Sequence, residues 1–276
     1  MKSPFTRPVI GLLAGLVSGM LAAPVSAEII TLRDRNSVVT LDPSSSAGVY
    51  SWTVNGINQL YQQWFWYRIG DDAEASIDTL GSAQSGTYRG TRGAYVIYSN
   101  NALSVEVDYL LTGGTSTGGT SDLAESISIT NTGTQPLDLH FFQYSDFDLN
   151  GTTGGDFVHF PNANTVIQSK GIAMLTETVA TPAPDHHEGN FFPNTLVSLG
   201  DGVATQLSDL PAIGGGMLGP GDVTWAYQWD RILARGDSLI ISKDKMLNVA
   251  IPEPSTLVLA LLGLLALAGH FAWRRR

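Results

Sequence analysis

Oxygen-bearing side chains alternate through residues 146–151, Asp-Phe-Asp-Leu-Asn-Gly. Asp146, Asp148 and Asn150 stand at positions 1, 3 and 5 and glycine follows at position 6, as in the opening of an EF-hand-like calcium loop. That motif has a bidentate glutamate at position 12, where this chain has phenylalanine, although Asp156 comes one residue earlier. Two interpretations stay open: a calcium site built from these four residues, or a solvated strand end followed by a glycine-rich turn.

A second group of candidate metal ligands occupies residues 185–188, Asp-His-His-Glu. Histidines and carboxylates bind zinc, but ligation needs side chains that converge from separated positions. Neighbouring residues on an extended segment point apart, so His159 would have to complete such a site from a distance. We expect a polar surface loop here, with a metal site as the alternative.

Aromatic side chains recur at every second residue in two segments. Trp64 and Trp66 share one face of a predicted strand, and Trp225, Tyr227 and Trp229 share one face of another. Side chains two residues apart on a strand are about 6.6 Å apart, which suits stacking on consecutive sugar rings. Aromatic residues also dominate sandwich cores. Core packing is therefore the favoured interpretation of each ladder, and glycan contact by at least one ladder is the alternative.

Catalysis would need positioned acid and base groups. If the ligand is a glycan, the enzyme class to consider is the glycosidases, which use a pair of carboxylates. The chain has no Gly-x-Ser-x-Gly elbow, no phosphate-binding glycine loop before a helix and no His-Glu-x-x-His. We therefore expect no enzyme activity and assign no catalytic residue. The carboxylates that would serve a glycan-active alternative are Asp146, Asp148, Glu177, Glu188 and Asp230.

Composition narrows the function classes further. The 276 residues include 15 Lys+Arg, 25 Asp+Glu and no cysteine. An acidic chain lacks the basic face that nucleic-acid binding requires, so no nucleic-acid partner is expected. Without cysteine, disulfide scaffolds, zinc ribbons and thiol catalysis are excluded. No cofactor is expected unless the calcium interpretation holds.

Period-two alternation of apolar and polar residues runs through the middle of the chain and predicts strands. In residues 103–111 the odd positions are apolar and positions 104, 106 and 108 are polar. Many short strands in residues 28–251 predict an all-β fold, one large antiparallel β-sandwich. The predicted strands are 29–33, 49–54, 61–69, 94–99, 103–111, 125–130, 137–141, 164–168, 195–199, 223–229 and 238–242.

Two of these strands are joined by a turn-forming segment. Residues 131–136, Asn-Thr-Gly-Thr-Gln-Pro, separate the alternating stretches 125–130 and 137–141. Glycine, asparagine and proline between alternating runs are typical of turns. The pattern predicts a β-hairpin.

The first 27 residues have the features of an export signal. Lys2 and Arg7 precede an uncharged stretch, and the small residues that signal peptidase requires end at Ala27. Cleavage after Ala27 by signal peptidase, during passage through the export machinery, is predicted.

The C-terminus combines three elements in a fixed order. Pro252, Glu253 and Pro254 precede an uncharged run at 256–273, which is followed by the cluster Arg274, Arg275 and Arg276. Eighteen helical residues span about 27 Å, enough to cross a ~30 Å hydrocarbon layer. The arginines would keep that end in the cytoplasm as a membrane stop. The predicted organisation is a signal peptide at 1–27, an exported domain at 28–251 and a sorting segment at 252–276 with a transmembrane helix at 256–273.

The motif, helix and arginine cluster together resemble the PEP-CTERM sorting signal, the substrate of membrane-embedded exosortases. The resemblance implies a Gram-negative bacterium that makes extracellular polysaccharide. It also implies transient anchoring in the inner membrane, removal of the tail near the Pro-Glu-Pro motif, and delivery to the outer surface or extracellular matrix. The middle of the chain, with the phrase 141–149, Phe-Phe-Gln-Tyr-Ser-Asp-Phe-Asp-Leu, resembles uncharacterised exported proteins that carry the same tail.

These observations predict a non-catalytic component of the cell surface or biofilm matrix that associates with extracellular polysaccharide. A glycan-active enzyme with a carboxylate pair on the same fold is the first alternative, and a structural spacer without a ligand is the second. Paired carboxylates in a cleft would favour the enzyme, an exposed aromatic face would favour the binding module, and buried ladders would favour the spacer.

Overall fold

The computed structural model describes residues 28–249, 262–265 and 270. The predicted signal peptide with Ala27, the Pro-Glu-Pro motif, the arginine cluster and most of the predicted transmembrane segment lie outside these residues. Within the part that is described, no helix is both long enough and apolar enough to cross a membrane.

Most of the described residues between 28 and 249 lie in β-strands, with one short α-helix in that range, α1 (Asn194–Ser198), and 3-10 turns at Ile77–Leu80 and Leu149–Gly151. Residues 262–265 and 270 are also helical. The strands are β1 Ile30–Asp34, β2 Ser37–Asp42, β3 Gly48–Val54, β4 Ile57–Asn58, β5 Gln62–Ile69, β6 Ala75–Ser76, β7 Gln84–Tyr88, β8 Gly93–Ser99, β9 Leu103–Gly113, β10 Thr120–Asn131, β11 Leu137–Asp146, β12 Asp156–Asn162, β13 Thr165–Lys170, β14 Ala173–Thr181, β15 His186–Phe191, β16 Leu218–Gly221, β17 Val223–Leu233 and β18 Ser238–Asn248.

The strands form two nine-stranded sheets. The first has the order β1-β2-β3-β5-β11-β17-β15, with β4 beside β3 and β6 beside β5. The second has the order β16-β12-β13-β14-β18-β10-β9-β8-β7. The strand pairs are antiparallel except for a short parallel contact between β3 and β5. The predicted fold class, an all-β antiparallel sandwich, is confirmed.

One hydrophobic core lies between the two sheets, and the alternation seen in the sequence explains which residues enter it. In β9 the apolar odd positions from Leu103 to Leu111 are buried, and the residues between them are half-buried. Hydrogen bonds also cross the core: Trp52 Nε1 donates to Ser121 Oγ at 2.9 Å, and Trp225 Nε1 donates to Gln168 Oε1 at 3.3 Å. The core therefore joins the sheets through polar as well as apolar contacts.

The predicted hairpin at 125–141 is wrong. β10 pairs with β9 and β18 in the second sheet, whereas β11 pairs with β5 and β17 in the first. The segment 131–136 therefore passes from one sheet to the other, and the Asn131 side chain holds it by donating to the carbonyls of Gln135 and Leu233 at 2.8 and 2.9 Å. Turn residues mark a change of direction without specifying the sheet that the next strand joins.

The predicted strand at 195–199 is instead helix α1. The amide of Val197 donates to the Pro193 carbonyl at 2.9 Å, and the amide of Leu199 donates to the Thr195 carbonyl at 3.0 Å. The five-residue segment Thr-Leu-Val-Ser-Leu is too short for periodicity to separate strand from helix. The helix lies beside β15 and β17, with Leu199 buried against the core.

Two aspartates share the solvent-facing side of the second sheet and make its stability depend on pH. Partial burial, then the charge of Asp244, raise the pKa of Asp122 to about 7. The unfolded value is about 3.9. Because the pKa of Asp122 is higher in the folded state, that state binds the proton more tightly. The contribution of Asp122 to the free energy of unfolding is therefore favourable below pH ~4 and is lost as the pH rises through about 7.

Asp122→Asn should therefore stabilise the protein at pH 8 and leave it unchanged near pH 4. Since the site is partly exposed, solvent screening reduces the expected gain to about 1 kcal/mol, or about 2–4 °C in melting temperature. Thermal melts of wild type and variant across pH 4–8 measure this difference, with the exposed turn substitution Asp71→Asn as the control. A gain that is the same at every pH would contradict the assignment.

Candidate functional site

Three carboxylates meet where β11 ends and β17 begins. Asp146 is the last residue of β11, Asp148 follows two residues later, and Asp222 stands between β16 and β17. Pairing of β11 with β17 sets Asp146 opposite Thr224 and so brings Asp222 to the end of β11. One oxygen from each aspartate lies within 4.8 Å of the other two. We call the cavity they line the acidic pocket, whose walls are Tyr61, Asp146, Asp148, Thr153, Phe192 and Asp222.

Burial and mutual repulsion raise the pKa values of the pocket carboxyls. Asp146 is only 2% exposed. Its desolvation, then the charges of Asp222 and Asp148, raise its pKa to about 8. The pKa of Asp148 is raised by burial first and by Asp222 second. Within the described residues, Oδ1 of Asp146 and Oδ1 of Asp148 are buried without a hydrogen-bond partner. The described pocket thus holds three carboxyl groups close together, and two of their buried oxygens face no donor.

Asn150, the third residue of the predicted calcium loop, is exposed. The backbone turns sharply here, with φ of 63° at Asn150 and 71° at Gly151. The backbone N–H of Asn150 donates to Gln59 Oε1 at 2.7 Å and stabilises that turn. β11 ends at Asp146 and the chain turns after Asp148, so the predicted alternation of ligands does not continue to Asn150.

Asp156, the fourth predicted ligand, is fully buried beside a lysine. Its Oδ1 lies 3.8 Å from the Lys170 ammonium, which also donates to the Thr152 carbonyl at 2.6 Å and to the Gly154 carbonyl. Desolvation raises the pKa of Asp156 to about 7, and Lys170 opposes that rise. The structure thus replaces the predicted set of four with Asp146 and Asp148, joined by Asp222.

Exposed aromatic side chains form the rim of the acidic pocket. Tyr61 is 53% exposed and Phe192 is 38% exposed. Their rings meet edge to face with centroids 5.7 Å apart. The pocket has a volume of about 110 Å³. Beyond Tyr61 a wider concavity of about 510 Å³ is lined by Ser46, Ala47, Tyr50, Tyr61 and Gln62. The two concavities share Tyr61 and form one surface.

The two aromatic ladders predicted from the sequence are in the interior. Trp64, Trp225, Tyr227 and Trp229 are 0% exposed, and Trp66 is 5% exposed. They occupy β5 and β17 in the middle of the first sheet, where both faces are covered. Glycan contact through these five residues is therefore wrong, and core packing, the favoured interpretation, is correct. Tyr61 and Phe192, which the sequence interpretation did not include, are the exposed aromatic residues that line the acidic pocket.

The segment 185–188 is largely an edge strand rather than a loop, because β15 begins at His186 and pairs with β17. His186 Nδ1 lies 2.9 Å from Asp209 Oδ2, and His140 Nδ1 lies 2.5 Å from Asp230 Oδ1. His187 points to the opposite side and packs against Phe160 with the ring planes tilted and the centroids 4.4 Å apart. The His186–Asp209 contact ties β15 to the loop at 209, and the His140–Asp230 contact joins β11 to β17. Among the described residues, the carboxylate oxygens of the acidic pocket are close enough together to share a metal ion, whereas the side chains of 185–188 are not.

Four charged side chains are sealed in the core, including the candidate Glu177. The Lys245 ammonium lies 2.9 Å from Glu125 and 3.0 Å from Glu177, and Lys243 pairs with Glu125 and lies 3.7 Å from Glu177. Gln143 Nε2 donates to both Glu177 oxygens at 3.0 Å. We call Glu125, Glu177, Lys243 and Lys245 the buried charge cluster. Two lysines balance two glutamates here, and all four side chains are at most 1% exposed, so Glu177 cannot reach a substrate.

The remaining candidate carboxylates serve structure. Glu188 accepts hydrogen bonds from Thr195 Oγ1 at 2.5 Å and from the Ser208 amide at 3.1 Å, which fastens the segment 194–210 over the first sheet. Asp230 is engaged by His140 and by Gln228 Nε2 at 2.8 Å. Of the five candidates, Asp146 and Asp148 alone share a pocket in the described structure.

Sequence reasoning missed Asp222, Tyr61 and Phe192. Asp222 follows Gly-Pro-Gly and looks like an ordinary turn residue. Only the pairing of β11 with β17, two strands far apart in sequence, carries it to Asp146. Phe192 follows β15, whose alignment beside β17 sets it near the same end of the sheet. No local pattern gives that register.

Residues 250–276 match the family model of the PEP-CTERM protein-sorting motif. This confirms the predicted resemblance, and it marks the chain as an exported protein that an exosortase processes and that is sorted to the cell surface. No curated protein sequence matches the chain.

Solved structures share its fold. A bacterial glucoamylase complexed with acarbose is 8% identical with a TM-score of 0.55, over 88% of this chain and 35% of that one. A putative aldose 1-epimerase from Escherichia coli K12 is 8% identical with a TM-score of 0.51, over 80% and 98%. A GalM/aldose epimerase homologue from C. elegans is 9% identical with a TM-score of 0.51, over 81% and 99%. The chain spans about a third of the glucoamylase and nearly the whole of each epimerase.

At these identities the likeness establishes the fold alone. The expected likeness of the middle of the chain to uncharacterised exported proteins stays a prediction. The chain is thus an aldose-epimerase-like β-sandwich that carries a C-terminal PEP-CTERM sorting motif.

Proposed function

We propose that this exported domain is a non-catalytic polysaccharide-binding component of the cell surface or extracellular matrix. The observation that carries the proposal is the exposed pair Tyr61 and Phe192 at the mouth of the acidic pocket. Exposed aromatic rings beside hydrogen-bonding groups offer an apolar face and polar partners together, as a sugar ring requires.

The sizes of the two concavities support one position for a sugar ring over the other. Ligand pockets usually measure about 300–1,000 Å³. The acidic pocket, at about 110 Å³, is below that range, whereas the adjoining concavity, at about 510 Å³, is within it. In this proposal the glycan lies across Tyr50 and Tyr61 and extends over Phe192 at the mouth of the acidic pocket, with the carboxylates at its edge.

The names of the structural relatives support the same ligand class. One is a glucoamylase complexed with acarbose, and others are aldose epimerases or their homologues. All of these names concern carbohydrates. The proposal extends that ligand class to this chain.

The proposal also includes the route and the final location of the domain. Signal peptidase and the export machinery release the domain beyond the inner membrane after cleavage at Ala27, and the helix 256–273 holds it there until an exosortase cuts near Pro252–Pro254. The domain then reaches the outer surface or matrix of a Gram-negative cell. Sorting through an exosortase, which the matched motif indicates, supports this route.

Substitution of the rim tests the binding surface. Tyr61→Ala and Phe192→Ala should each weaken binding to the host polysaccharide about 3–10-fold, because each removes a stacking contact of about 0.5–1.5 kcal/mol. Titration calorimetry on the full chain in mild detergent measures the affinity. Tyr95→Ala, which removes another exposed aromatic ring on the second sheet, is the matched control. If Tyr95→Ala weakens binding as much as the rim variants do, the assigned surface is wrong.

A glycan-active enzyme is the second candidate, and one observation favours it: Asp146 and Asp148 share a pocket, and burial holds their pKa values above the usual range. One such group would act as acid and its neighbour as base. Their closest oxygens, within 4.8 Å, approach nearer than the about 5–5.5 Å that separates carboxyl groups in retaining glycosidases. The spacing therefore suits a shared cation better than a sugar between the two groups.

A further inference from the structure

We infer that the acidic pocket binds a calcium ion through Asp146, Asp148 and Asp222. The inference is independent of polysaccharide binding, because its evidence and its test concern the cation alone.

The spacing of the three carboxylates allows all of them to reach one ion. Calcium binds oxygen ligands at about 2.3–2.6 Å, so two oxygens on opposite sides of one ion are about 4.8 Å apart. One oxygen from each of the three aspartates lies within that distance of the others. The cavity of about 110 Å³ also leaves room for the water molecules that would complete six to eight ligands.

A buried oxygen without a partner points to a missing cation. Asp146 is 98% buried and lines the cavity, and its Oδ1 has no hydrogen-bond partner among the described residues. Its Oδ2 faces the Tyr144 hydroxyl at 3.3 Å. A buried carboxylate oxygen is costly unless a donor or a metal compensates it. A cation between Asp146 and Asp148 satisfies the Oδ1 atoms of both.

Lys170 acts on the charge of Asp148 but forms no ion pair with it, so it compensates the charge of the pocket only in part. Lys170 is held by Asp156 and by the Thr152 and Gly154 carbonyls. The ion pairs of the described residues involve other carboxylates, and the three pocket aspartates carry up to three negative charges in about 110 Å³. A divalent cation neutralises most of that charge.

Calcium fits this ligand set better than magnesium. All three side chains offer carboxylate oxygens from a strand end, the loop after it and a turn, which together form no rigid octahedron. Calcium accepts such irregular geometry, whereas magnesium requires a near-ideal octahedron at about 2.0–2.1 Å. The sorting motif takes the domain outside the cytoplasm, where sites with Kd values of about 10⁻⁴–10⁻³ M are typical of calcium-binding modules.

The test is thermal unfolding of the full chain in mild detergent, first with EDTA and then with about 5 mM CaCl₂ or MgCl₂. Calcium should raise the melting temperature by about 3–7 °C. Asp222→Asn should raise the melting temperature in EDTA, because it relieves repulsion, and should abolish the calcium response. Asp72→Asn, in an exposed turn, should behave as wild type.

Terbium luminescence provides a second measurement that needs no variant. Tb³⁺ in the pocket would lie beside the Tyr61 ring and be sensitised by aromatic excitation, and Ca²⁺ should displace it at one site per chain. An unchanged melting temperature together with no saturable terbium signal overturns the inference. A calcium response that survives in Asp222→Asn overturns the assignment to this pocket, and an equal response to magnesium overturns the choice of calcium.

Discussion

Glu125→Gln is expected to destabilise the protein by about 3–5 kcal/mol, the usual effect of removing one partner from a buried ion pair. Glu125 contacts Lys243 and, at 2.9 Å, Lys245 in the buried charge cluster. Without its charge, two buried lysines would face Glu177 alone. The melting temperature should fall by about 6–20 °C in thermal unfolding experiments.

Two further variants separate this explanation from a general effect on packing. Glu106→Gln on the adjacent strand β9 alters a carboxylate outside the core and should cost less than about 0.5 kcal/mol. Glu125→Leu combined with Lys243→Leu leaves Lys245 balanced by Glu177 at 3.0 Å, and should be more stable than Glu125→Leu alone. A double variant that is less stable than both single variants would contradict the role of charge balance.

Trp225→Ala is expected to destabilise the protein by about 3–5 kcal/mol, because it empties a large core position. Trp225 is 0% exposed and stacks on Phe147 with ring centroids 6.4 Å apart. Its Nε1 donates to Gln168 Oε1 across the core at 3.3 Å, so the substitution also leaves that oxygen without this donor. Chemical denaturation would measure the loss of unfolding free energy, and the dependence of that free energy on denaturant concentration should be the same as in wild type.

The same residue distinguishes core packing from glycan contact. Trp225→Phe retains most of the buried volume, so it should fold and bind polysaccharide with the affinity of wild type. Tyr61→Ala should do the opposite, with little change in stability and weaker binding. A loss of affinity in well-folded Trp225→Phe would contradict the burial-based assignment of the ladder.

The strands could be predicted from sequence because alternation reflects a local constraint, the two faces of a single strand. β9 is the clearest case, with buried and half-buried residues alternating from Leu103 to Leu111. The partners of each strand depend on contacts far apart in sequence. The turn at 131–136 therefore predicted a hairpin, whereas β10 and β11 lie in different sheets.

In the candidate site, too, the local features could be predicted from sequence and the long-range contacts could not. The two-residue spacing of Asp146 and Asp148 is local, and the structure places both in one pocket. Asp222 joins them only through the register of β11 and β17, which no single segment specifies. The ladders were ambiguous for a related reason: alternating aromatic residues look alike on a strand with one covered face and on a central strand covered on both sides.

The most direct test of polysaccharide binding is size-exclusion chromatography with light scattering of the full chain mixed with the extracellular polysaccharide of its host. We expect the protein to co-elute with polymer of unchanged mass, and Tyr61→Ala to reduce the co-eluting fraction. A fall in polymer mass would show a glycan-active enzyme instead. Separate elution of protein and intact polymer would contradict the proposed function.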